Sequence, residues 1–408
     1  MDQAPSLSLP RLPRDRSDDY STEIVARRRA LAEGSAGIPL SHVAGSGVPL
    51  GSAQGSIESM IGFAQVPLGL AGPLLVHGAK GRRETYVPMA TTEGALVASH
   101  NRGMRLVGEA GGAWSRVVRE GLSQHPVLVY ADAAAALRAA ERARLERHRW
   151  AELVTTLTNH GRLTVVEPEV QGRRLVLRLV FTTGDAIGIN MAAHAADRIS
   201  AELAEASGAL ERYVHGQDVE KRASARTAVE GRGRSVVADV TVPAAVLREV
   251  ARATPEQMAS IARTYAQGFA QLGTQNWTVQ GANGLAAVLL ACGQDVAYLP
   301  ECATGYLDMD VTADGDLYAS VHLPSLLVGT VGGGCGQGTA AECLEVLGCA
   351  GDGGANDFAE VLGATVLCGD LSLMAAFCSH EFVEAHERLG RNRPAGQAAA
   401  PGAGKDRG

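Results

Sequence analysis

The chain has 408 residues, a formal net charge of −7 and seven cysteines. Its length allows two or three domains, and its 46% hydrophobic and 20% charged residues are typical of a globular protein. The negative charge gives no electrostatic basis for binding nucleic acid or an anionic membrane, so neither is expected as a partner. An odd number of cysteines without a C-x-x-C pair indicates reduced thiols and a cytoplasmic location. No segment has the ~18 consecutive apolar residues that a membrane span needs.

The two ends of the chain, 1–20 and 391–408, are rich in Pro, Gly and charge and are predicted to be disordered tails. A charged helix is predicted from Thr22 to about Leu31. The following apolar pieces of 57–73 are interrupted by Gly and Pro, which favours loop and strand over helix.

The stretch PMATTEGALVAS (88–99) predicts a helix over 93–107, capped by Thr91 or Thr92. Glu93 would then lie at the mouth of this helix, among small residues. The helix dipole would favour its charged form, and burial would favour a neutral form able to donate a proton. The alternative is a first-turn Glu that only assists the cap.

Residues 126–212 are predicted to form a self-contained unit. A strand at 127–130 precedes a helix capped by Asp132, a hairpin turns at Gly172, and an amphipathic helix spans 188–206. This order of elements indicates a small α+β sandwich of the ferredoxin-like kind, inserted into the larger remainder of the chain.

After this unit, a strand is predicted at 235–242, and a hairpin is predicted to turn at Asp314-Gly315. The sequence GTVGGGCG (329–336) forms a Gly-rich loop. Helices are predicted at about 243–253, 256–272, 282–292, 338–347 and 355–390.

Several common motifs are missing from the sequence. It has no G-x-G-x-x-G between a strand and a helix and no Walker A motif. His380 and Glu381 begin like a zinc motif, but the next histidine, His386, would lie on another helix face, so no metal site is expected. The segment TGDAIGINM (183–191) is a strand-to-helix junction that suits a phosphate. A plain helix start capped by Asp185 is the alternative.

Taken together, the motifs resemble hydroxymethylglutaryl-CoA (HMG-CoA) reductases of the NADPH-dependent type shared by eukaryotes and archaea. The matching pieces, in family order, are VPLGLAGPL (66–74), PMATTEGALVAS (88–99), TGDAIGINM (183–191), EGRGRSVV (230–237), ACGQD (291–295), LYASVHLPSLLVGTVGGG (317–334) and LSLMAA (371–376).

The resemblance implies an α+β architecture with a large, mainly helical substrate domain and an inserted small ferredoxin-like nucleotide-binding domain. It places an N-terminal helical and dimerisation segment at 21–75, the acyl-CoA-binding domain at 76–125 and 213–390, and the NADP-binding domain at 126–212. It also implies a homodimer or homotetramer with shared active sites. The expected reaction reduces HMG-CoA to mevalonate and CoA with two NADPH.

Four catalytic residues follow from the resemblance. Lys221 matches the lysine that stabilises the oxyanion, Glu93 the carboxylate that supplies a proton, and Asp295 the aspartate between them. His386 matches the histidine that protonates the departing CoA thiolate, with His380 as a nearby competitor. Without the resemblance, Lys221 would be a solvated loop charge, Asp295 a turn residue and His386 an exposed helix residue.

The binding residues also follow from the resemblance. Those matched to the substrate side are Ser99, Asn101, Arg102, Arg252 and Asn283. Those matched to the nicotinamide nucleotide, taken as NADPH, are Thr158, Asn159, Asp185, Gly188 and Asn190.

Some positions depart from the family pattern. Gln124 stands where the family has an arginine, and Val214 stands where it has a serine. The family's arginine and serine normally meet the acyl group. Gln280 replaces a histidine, and Asn159 stands in the slot of the arginine that meets the 2′-phosphate. A paralogue that reduces another acyl-CoA or carrier-bound thioester is therefore a second hypothesis, and a catalytically inactive scaffold is a third. Arg263 lies near a family lysine position and would compensate for part of the charge that is missing at Gln124.

Overall fold

The computed structural model describes residues 13, 15, 18, 20–36, 38–45, 47–217 and 219–379. Within these residues the chain forms a mixed α/β fold with one continuous apolar core. A second, small apolar cluster, formed by Ile24, Val25, Ala53 and Met60, joins the first helix to the loop that follows it. The predicted tail at 391–408 lies outside the described residues, and so does most of 1–20.

The helices are α1 (Thr22–Ala36), α2 (Ser41–Ala44), α3 (Leu96–Glu109), α4 (Ala133–Leu145), α5 (Arg147–Leu157), α6 (Ile189–Ser207), α7 (Ala225–Glu230), α8 (Ala244–Val246), α9 (Pro255–Leu272), α10 (Gly281–Ala291), α11 (Leu299–Cys302), α12 (Gly338–Val346) and α13 (Ala355–Cys378). The strands are β1 (Leu68–Gly78), β2 (Gly81–Ala90), β3 (Ala113–Gln124), β4 (Val127–Val129), β5 (Arg162–Gln171), β6 (Arg174–Thr182), β7 (Glu211–Tyr213), β8 (Gly233–Val242), β9 (Asn276–Trp277), β10 (Gly305–Val311) and β11 (Leu317–Leu326).

The smaller unit contains β4 to β7, and its strand order is β7-β4-β6-β5 with every pair antiparallel. Asp132 caps α4 by accepting the Ala135 amide at 2.7 Å, as predicted. The helix was predicted to end at about His148; α4 ends at Leu145, and a second helix, α5, which was not predicted, runs from Arg147 to Leu157. Gly172 turns the β5–β6 hairpin with φ +61°, a conformation that glycine adopts without steric cost.

The larger part also contains a sheet, in the order β2-β1-β3-β8-β11-β10-β9, with parallel pairing at β1–β3 and β10–β9. These seven strands go beyond the mainly helical domain that was predicted. The two sheets meet in β3, whose residues 114–121 pair with β8 and whose last three residues pair with β6. The predicted boundary at 125/126 therefore lies directly after a strand that both sheets share.

Helix α13 is the central helix of the larger part, and nearly all of its residues are buried. Among the described residues it alone has the length and apolar character of a membrane span, but 83% of that window is buried inside the protein. Such burial is what the core helix of a folded domain shows. The helix is described to Cys378, and residues 380–390 of the predicted helix lie outside the described residues.

Helix α3 starts at Leu96, and the predicted start at Glu93 is wrong. Ala95 precedes the helix with φ +72°, a left-handed conformation that interrupts the helix path. The Thr91 hydroxyl accepts the Glu93 amide at 3.0 Å, so the predicted threonine bond forms in the turn before the helix. Glu93 consequently lies on an exposed connection ahead of α3.

Candidate active site

Three of the Gly-rich motifs meet in one region. The Thr330 amide donates to the Asp185 carbonyl at 2.8 Å, which joins the loop at 329–336 to the loop at 183–191. The Gly329 amide donates to Gln294 Oε1 at 2.9 Å, which adds the ACGQD motif. A Cβ on Gly329 would lie 2.7 Å from the Asp185 carbonyl oxygen, so this contact requires glycine.

Lys221 and Asp295 form an ion pair, with Nζ and Oδ2 3.0 Å apart. Both side chains are nearly half exposed, at 42% and 47%. Asp295 Oδ1 also accepts the Ala297 amide at 3.0 Å, which fixes the carboxylate at the start of a short 3-10 turn. The ammonium therefore faces solvent beside a carboxylate that is itself held by a backbone amide.

Glu93 and Asn283 form a second pair. Asn283 Nδ2 donates to Glu93 Oε1 at 3.3 Å from the first turn of α10. Both residues are exposed. The amide orients the carboxylate and leaves its second oxygen for another partner.

No hydrogen bond or ion pair in the described part of the chain joins the two pairs directly. Helix α10 connects them, because it carries Asn283 in its first turn and leads at its other end towards Asp295. A cleft of about 350 Å³ has Ala90 and Gly293 in its lining, which are close in sequence to Glu93 and Asp295.

A buried polar network lies beneath Lys221. Arg232 donates to both oxygens of Glu301, at 3.1 and 3.2 Å, and both side chains are fully buried. Arg232 also donates to Glu220 Oε1 at 2.9 Å, and Gln124 Nε2 donates to the same oxygen at 3.1 Å. Gln124 is 3% exposed, so its side chain is a member of this network. Val214 is half-buried and packs against the core.

Asp185 does not cap α6, which corrects the alternative reading of the segment at 183–191. Its carboxylate instead accepts the amides of Gly353 at 2.7 Å and Ala355 at 3.1 Å. It thus satisfies free amides at the start of α13, an arrangement that a helix N-terminus favours. Asp185 ties the nucleotide-matched loop to the core helix.

Helix α6 begins after Gly188, whose φ is +81°. Because the N-cap residue is a glycine, no side chain caps the helix. Its first-turn amides therefore have no side-chain partner, as an anion site at a helix N-terminus requires. Asn190 is exposed in that first turn. Thr158 accepts the His160 amide at 3.1 Å, and the exposed Asn159 uses its carbonyl to accept from Arg162 at 3.2 Å.

Three residues matched to the substrate side make contacts inside the protein. Ser99 Oγ lies 3.1 Å from Ser372 Oγ, and Arg102 donates to the Ser372 carbonyl at 2.5 Å. Asn101 Oδ1 accepts the Gly72 amide at 2.8 Å, which joins α3 to β1. Arg252 is exposed, and its backbone lies in the left-handed region with φ +54°.

A buried carboxylate holds the start of α10. Asp370 Oδ1 accepts the Gln280 amide at 2.6 Å and Oδ2 accepts the Val279 amide at 3.1 Å. Burial raises the pKa of Asp370 to about 7, although these two amides act to lower the pKa. His100 lies nearby, packed against Gly369, and burial lowers its pKa.

Sequence reasoning missed Arg232, Glu301 and Asp370, which contact residues or elements of the candidate site. Two arginines in the otherwise small and apolar EGRGRSVV motif were the one available signal, because a strand seldom buries arginine without a partner. His386 lies outside the described residues. All seven cysteines are unpaired, as predicted. Within the described ranges no three His, Cys, Asp or Glu residues come together as metal ligands.

The chain is similar to known proteins over most of its length. The family model for hydroxymethylglutaryl-coenzyme A reductase matches residues 23–391. The 3-hydroxy-3-methylglutaryl-coenzyme A reductase of Haloferax volcanii is 40% identical over 371 residues, covering 89% of this chain and 92% of that protein. The protein of the same name from Methanothermobacter thermautotrophicus is 38% identical over 373 residues, covering 90% and 94%.

Among solved structures, the class II 3-hydroxy-3-methylglutaryl-CoA reductase of Streptococcus pneumoniae, bound to NADPH, superposes with a TM-score of 0.67. The two sequences are 19% identical, and the match covers 86% of this chain and 96% of the other. At that identity the match concerns the fold. On the family model and the archaeal relatives, this chain belongs to the hydroxymethylglutaryl-coenzyme A reductase family.

Proposed function

We propose that this protein reduces (S)-3-hydroxy-3-methylglutaryl-CoA to mevalonate and free CoA, with two NADPH and two protons consumed and two NADP⁺ released. The observation that carries the proposal is the Lys221–Asp295 ion pair at 3.0 Å, in which both side chains are nearly half exposed. A thioester carbonyl that accepts hydride develops negative charge on oxygen, and a fixed ammonium stabilises that charge.

Each of the four family-matched residues then has a role. Lys221 stabilises the oxyanion in both reductions, and Asp295 holds the ammonium in place. Glu93, oriented by Asn283, supplies a proton to the carbonyl oxygen. His386 protonates the CoA thiolate when the hemithioacetal collapses to the aldehyde, because a neutral thiol is the better leaving group.

The smaller unit, 126–212, is in this proposal a ferredoxin-like domain that binds NADPH, which supplies hydride when bound. The strand order β7-β4-β6-β5 supports the ferredoxin-like assignment. The uncapped start of α6, with Gly188 and Asn190, fits the phosphate or carboxamide of the nucleotide. Asp185 contributes by holding this loop against α13, and Thr158 and Asn159 lie on the neighbouring loop.

The acyl-CoA side is assigned to the larger part, 76–125 and 213–390. Ser99, Asn101 and Arg102 shape one wall of it through their contacts with Ser372 and Gly72. Arg252, exposed on the surface, is the proposed cation for the CoA phosphates.

The assembly and the cellular location are also part of the proposal. The family assignment supports a homodimer or homotetramer with shared active sites. Large apolar side chains are exposed near the segment 21–75, where Leu68 and Leu70 are each 51% exposed. The unpaired thiols of all seven cysteines are typical of the reducing cytoplasm.

The second candidate reaction is reduction of a different thioester. Gln124, in the slot of the family arginine, offers no charge to an acyl carboxylate and is already bonded to Glu220. Loss of a charged hydrogen bond costs ~1.5–3 kcal/mol of substrate binding unless another cation replaces it. The exposed Arg263 on α9 is the proposed replacement.

One assay separates the candidates. The purified protein is mixed with NADPH and either HMG-CoA or a panel of other acyl-CoAs, including acetyl-CoA and succinyl-CoA, and nucleotide oxidation is followed at 340 nm. We expect the highest kcat/KM with HMG-CoA and mevalonate as product. A higher kcat/KM with another acyl-CoA would support the paralogue, and no oxidation with any of them would support an inactive scaffold.

A further inference from the structure

The backbone at Lys221 has an uncommon conformation. Its φ is +60°, in the left-handed region that residues with a Cβ seldom adopt. The Lys221 amide donates to Glu301 Oε1 at 2.5 Å, and Glu301 is fully buried and paired with Arg232. Such strain persists only where surrounding contacts hold it, and this buried pair is one such contact.

The other end of Lys221 lies against Tyr298. Lys221 Nζ is 4.9 Å from the centroid of the Tyr298 ring, within the range of a cation–π contact. Tyr298 ends the 3-10 turn that Asp295 caps, so one short turn presents a carboxylate and an aromatic face to the same ammonium.

Tyr298 is itself fixed in position. The residue is 5% exposed, and its hydroxyl donates to Glu220 Oε2 at 3.3 Å. Glu220 is in turn bonded to the fully buried Arg232 at 2.9 Å. The ring therefore belongs to the same network that holds the Lys221 backbone.

We propose that Tyr298 is a positioning residue for Lys221, whose ring face holds the ammonium beside Asp295 in the geometry that meets the oxyanion. The proposal rests on the proposed function for its catalytic consequence. A lysine side chain has four rotatable bonds, and an ion pair this exposed does not restrict them strongly on its own. A fixed aromatic ring restricts the positions of the ammonium, and because the ring is neutral it does not change the net charge of the site.

The kinetic test compares two substitutions. Tyr298→Phe keeps the ring face and loses the hydroxyl bond to Glu220, whereas Tyr298→Leu loses the ring. We expect Tyr298→Leu to lower kcat with HMG-CoA and NADPH by about 10-fold with KM changed less than about 2-fold, since a cation–π contact is of that order. Tyr298→Phe should retain at least about a third of the kcat. Equal losses of kcat in both variants, or a full kcat in Tyr298→Leu, would overturn the proposal.

A second measurement does not depend on catalysis. The chain has only three lysines, Lys80, Lys221 and Lys405. Labelling with an amine-reactive reagent, followed by peptide mass spectrometry, reports the accessibility of each ammonium separately. Lys80, which pairs with Asp357 at 3.0 Å, is the internal control.

We expect Lys221 in Tyr298→Leu to label at least about 3-fold faster than in the unmodified protein, with Lys80 unchanged. Tyr298→Phe should label like the unmodified protein at both positions. Unchanged labelling of Lys221 in folded Tyr298→Leu would refute the positioning role. If the unmodified protein failed to reduce HMG-CoA, the proposed function would fall, while the labelling would still decide whether Tyr298 holds Lys221.

Discussion

At the scale of single residues, Lys221 and Glu93 are exposed side chains whose removal should affect chemistry and leave folding intact. Their contacts are an exposed ion pair and one amide bond, which stabilise a fold by at most ~1 kcal/mol. We predict that Lys221→Ala and Glu93→Gln each lower kcat for HMG-CoA reduction by at least ~100-fold. Steady-state kinetics and urea unfolding measure the two effects.

Arg105 and Glu109 supply the matched controls. They form an exposed ion pair at 2.7 Å on the outer face of α3. Arg105→Ala and Glu109→Gln make the same changes of charge and should keep near-normal kcat. If Lys221→Ala or Glu93→Gln behaved like these controls, the catalytic assignment would be wrong.

Arg162 is the residue on which nucleotide preference should depend. Its guanidinium donates to the carbonyls of Asn159 at 3.2 Å and Gly161 at 2.7 Å, so it stays over the loop matched to the 2′-phosphate. Asn159 offers no charge there, and Arg162 does. We predict that NADPH is preferred over NADH by a narrower margin than in the family, and that Arg162→Ala lowers the preference about 10-fold.

The preference is measured as the ratio of kcat/KM for the two nucleotides. Arg138→Ala, an exposed arginine on α4 of the same unit, is the control for lost charge. A clear preference for NADH in the unmodified protein would show that Asn159 has switched the site and that Arg162 does not compensate.

Asp370 should make stability depend on pH in an unusual direction. Burial raises its pKa to about 7, whereas the unfolded chain has a pKa near 3.8. Between these values the unfolded carboxyl has lost its proton and the folded one keeps it, so the free energy of unfolding falls as pH rises, by up to ~1.4 kcal/mol per unit. Below pH 4 the contribution is complete, and above pH 7 it is lost.

The variant Asp370→Asn does not titrate, although it can satisfy only one of the two amides at the start of α10. We predict that it is less stable than the unmodified protein at pH 5 and that the difference shrinks by pH 8. Urea unfolding at both pH values gives the two differences. Parallel pH profiles for the two proteins would contradict the raised pKa.

At the scale of elements, α3 and α13 pack so closely that only glycine fits between them. A Cβ on Gly103 would lie 1.9 Å from the Cys368 carbonyl oxygen, a backbone atom that cannot move aside cheaply. We predict that Gly103→Ala lowers the free energy of unfolding by about 1–3 kcal/mol or more.

Gly108 lies on the same helix with no atom within 4 Å of its Cβ position. Gly108→Ala should be neutral or stabilising by up to ~1 kcal/mol, because alanine has the higher helix propensity. The difference between the free energies of unfolding of the two variants, measured by urea or thermal unfolding, gives the cost of the clash between α3 and α13. Similar stability of both would mean that α3 and α13 are further apart than described.

Elements marked by local sequence signals, such as a capping residue, a turn glycine or an apolar pattern, could be predicted from the sequence. The capped α4, the hairpin at Gly172, the apolar α9 and α10 and the turn at Gly315 were all predicted close to their observed bounds. The long hairpin of β1 and β2 was not, because Gly and Pro interrupt β1 and its register shifts between Ala71 and Leu74.

The candidate site was predictable only in part, because many of its contacts join residues that are far apart in the sequence. Lys221 and Asp295 were matched to the family through motifs, and the fold brings the two side chains together as an ion pair. Arg232 and Glu301 are 69 residues apart, and no local pattern indicates that two fully buried charges meet there. Asp185 was matched to the nucleotide, while its contacts with the start of α13 depend on tertiary structure alone.

At the scale of the whole molecule, β3 joins the two sheets, so the proposed nucleotide unit and the proposed acyl-CoA part share a backbone strand. Arg234 reinforces this junction, because its guanidinium donates to the Gly184 carbonyl and, at 2.7 Å, to the Val328 carbonyl. Arg234 therefore ties the loop at 183–191 to the segment that leads into the loop at 329–336.

The outer surface near β1 bears on assembly. Leu70 is 51% exposed on β1, and Tyr86 is 51% exposed on the neighbouring β2. Exposed apolar side chains that lie close together are typical of an interface between chains. In the proposed assembly the partner is a second copy of this chain, which would cover the segment 21–75 and complete the active site.

We predict that Leu70→Glu dissociates the assembly into monomers and lowers HMG-CoA reduction by at least ~10-fold, because a carboxylate buried in an apolar interface is strongly unfavourable. Leu145→Glu is the matched control, since Leu145 is 82% exposed on α4 and should tolerate the charge. Sedimentation velocity gives the mass of each variant. If the unmodified protein and Leu70→Glu sedimented with the same mass, β1 would lie outside the interface. An active monomer would show that each chain carries a complete site.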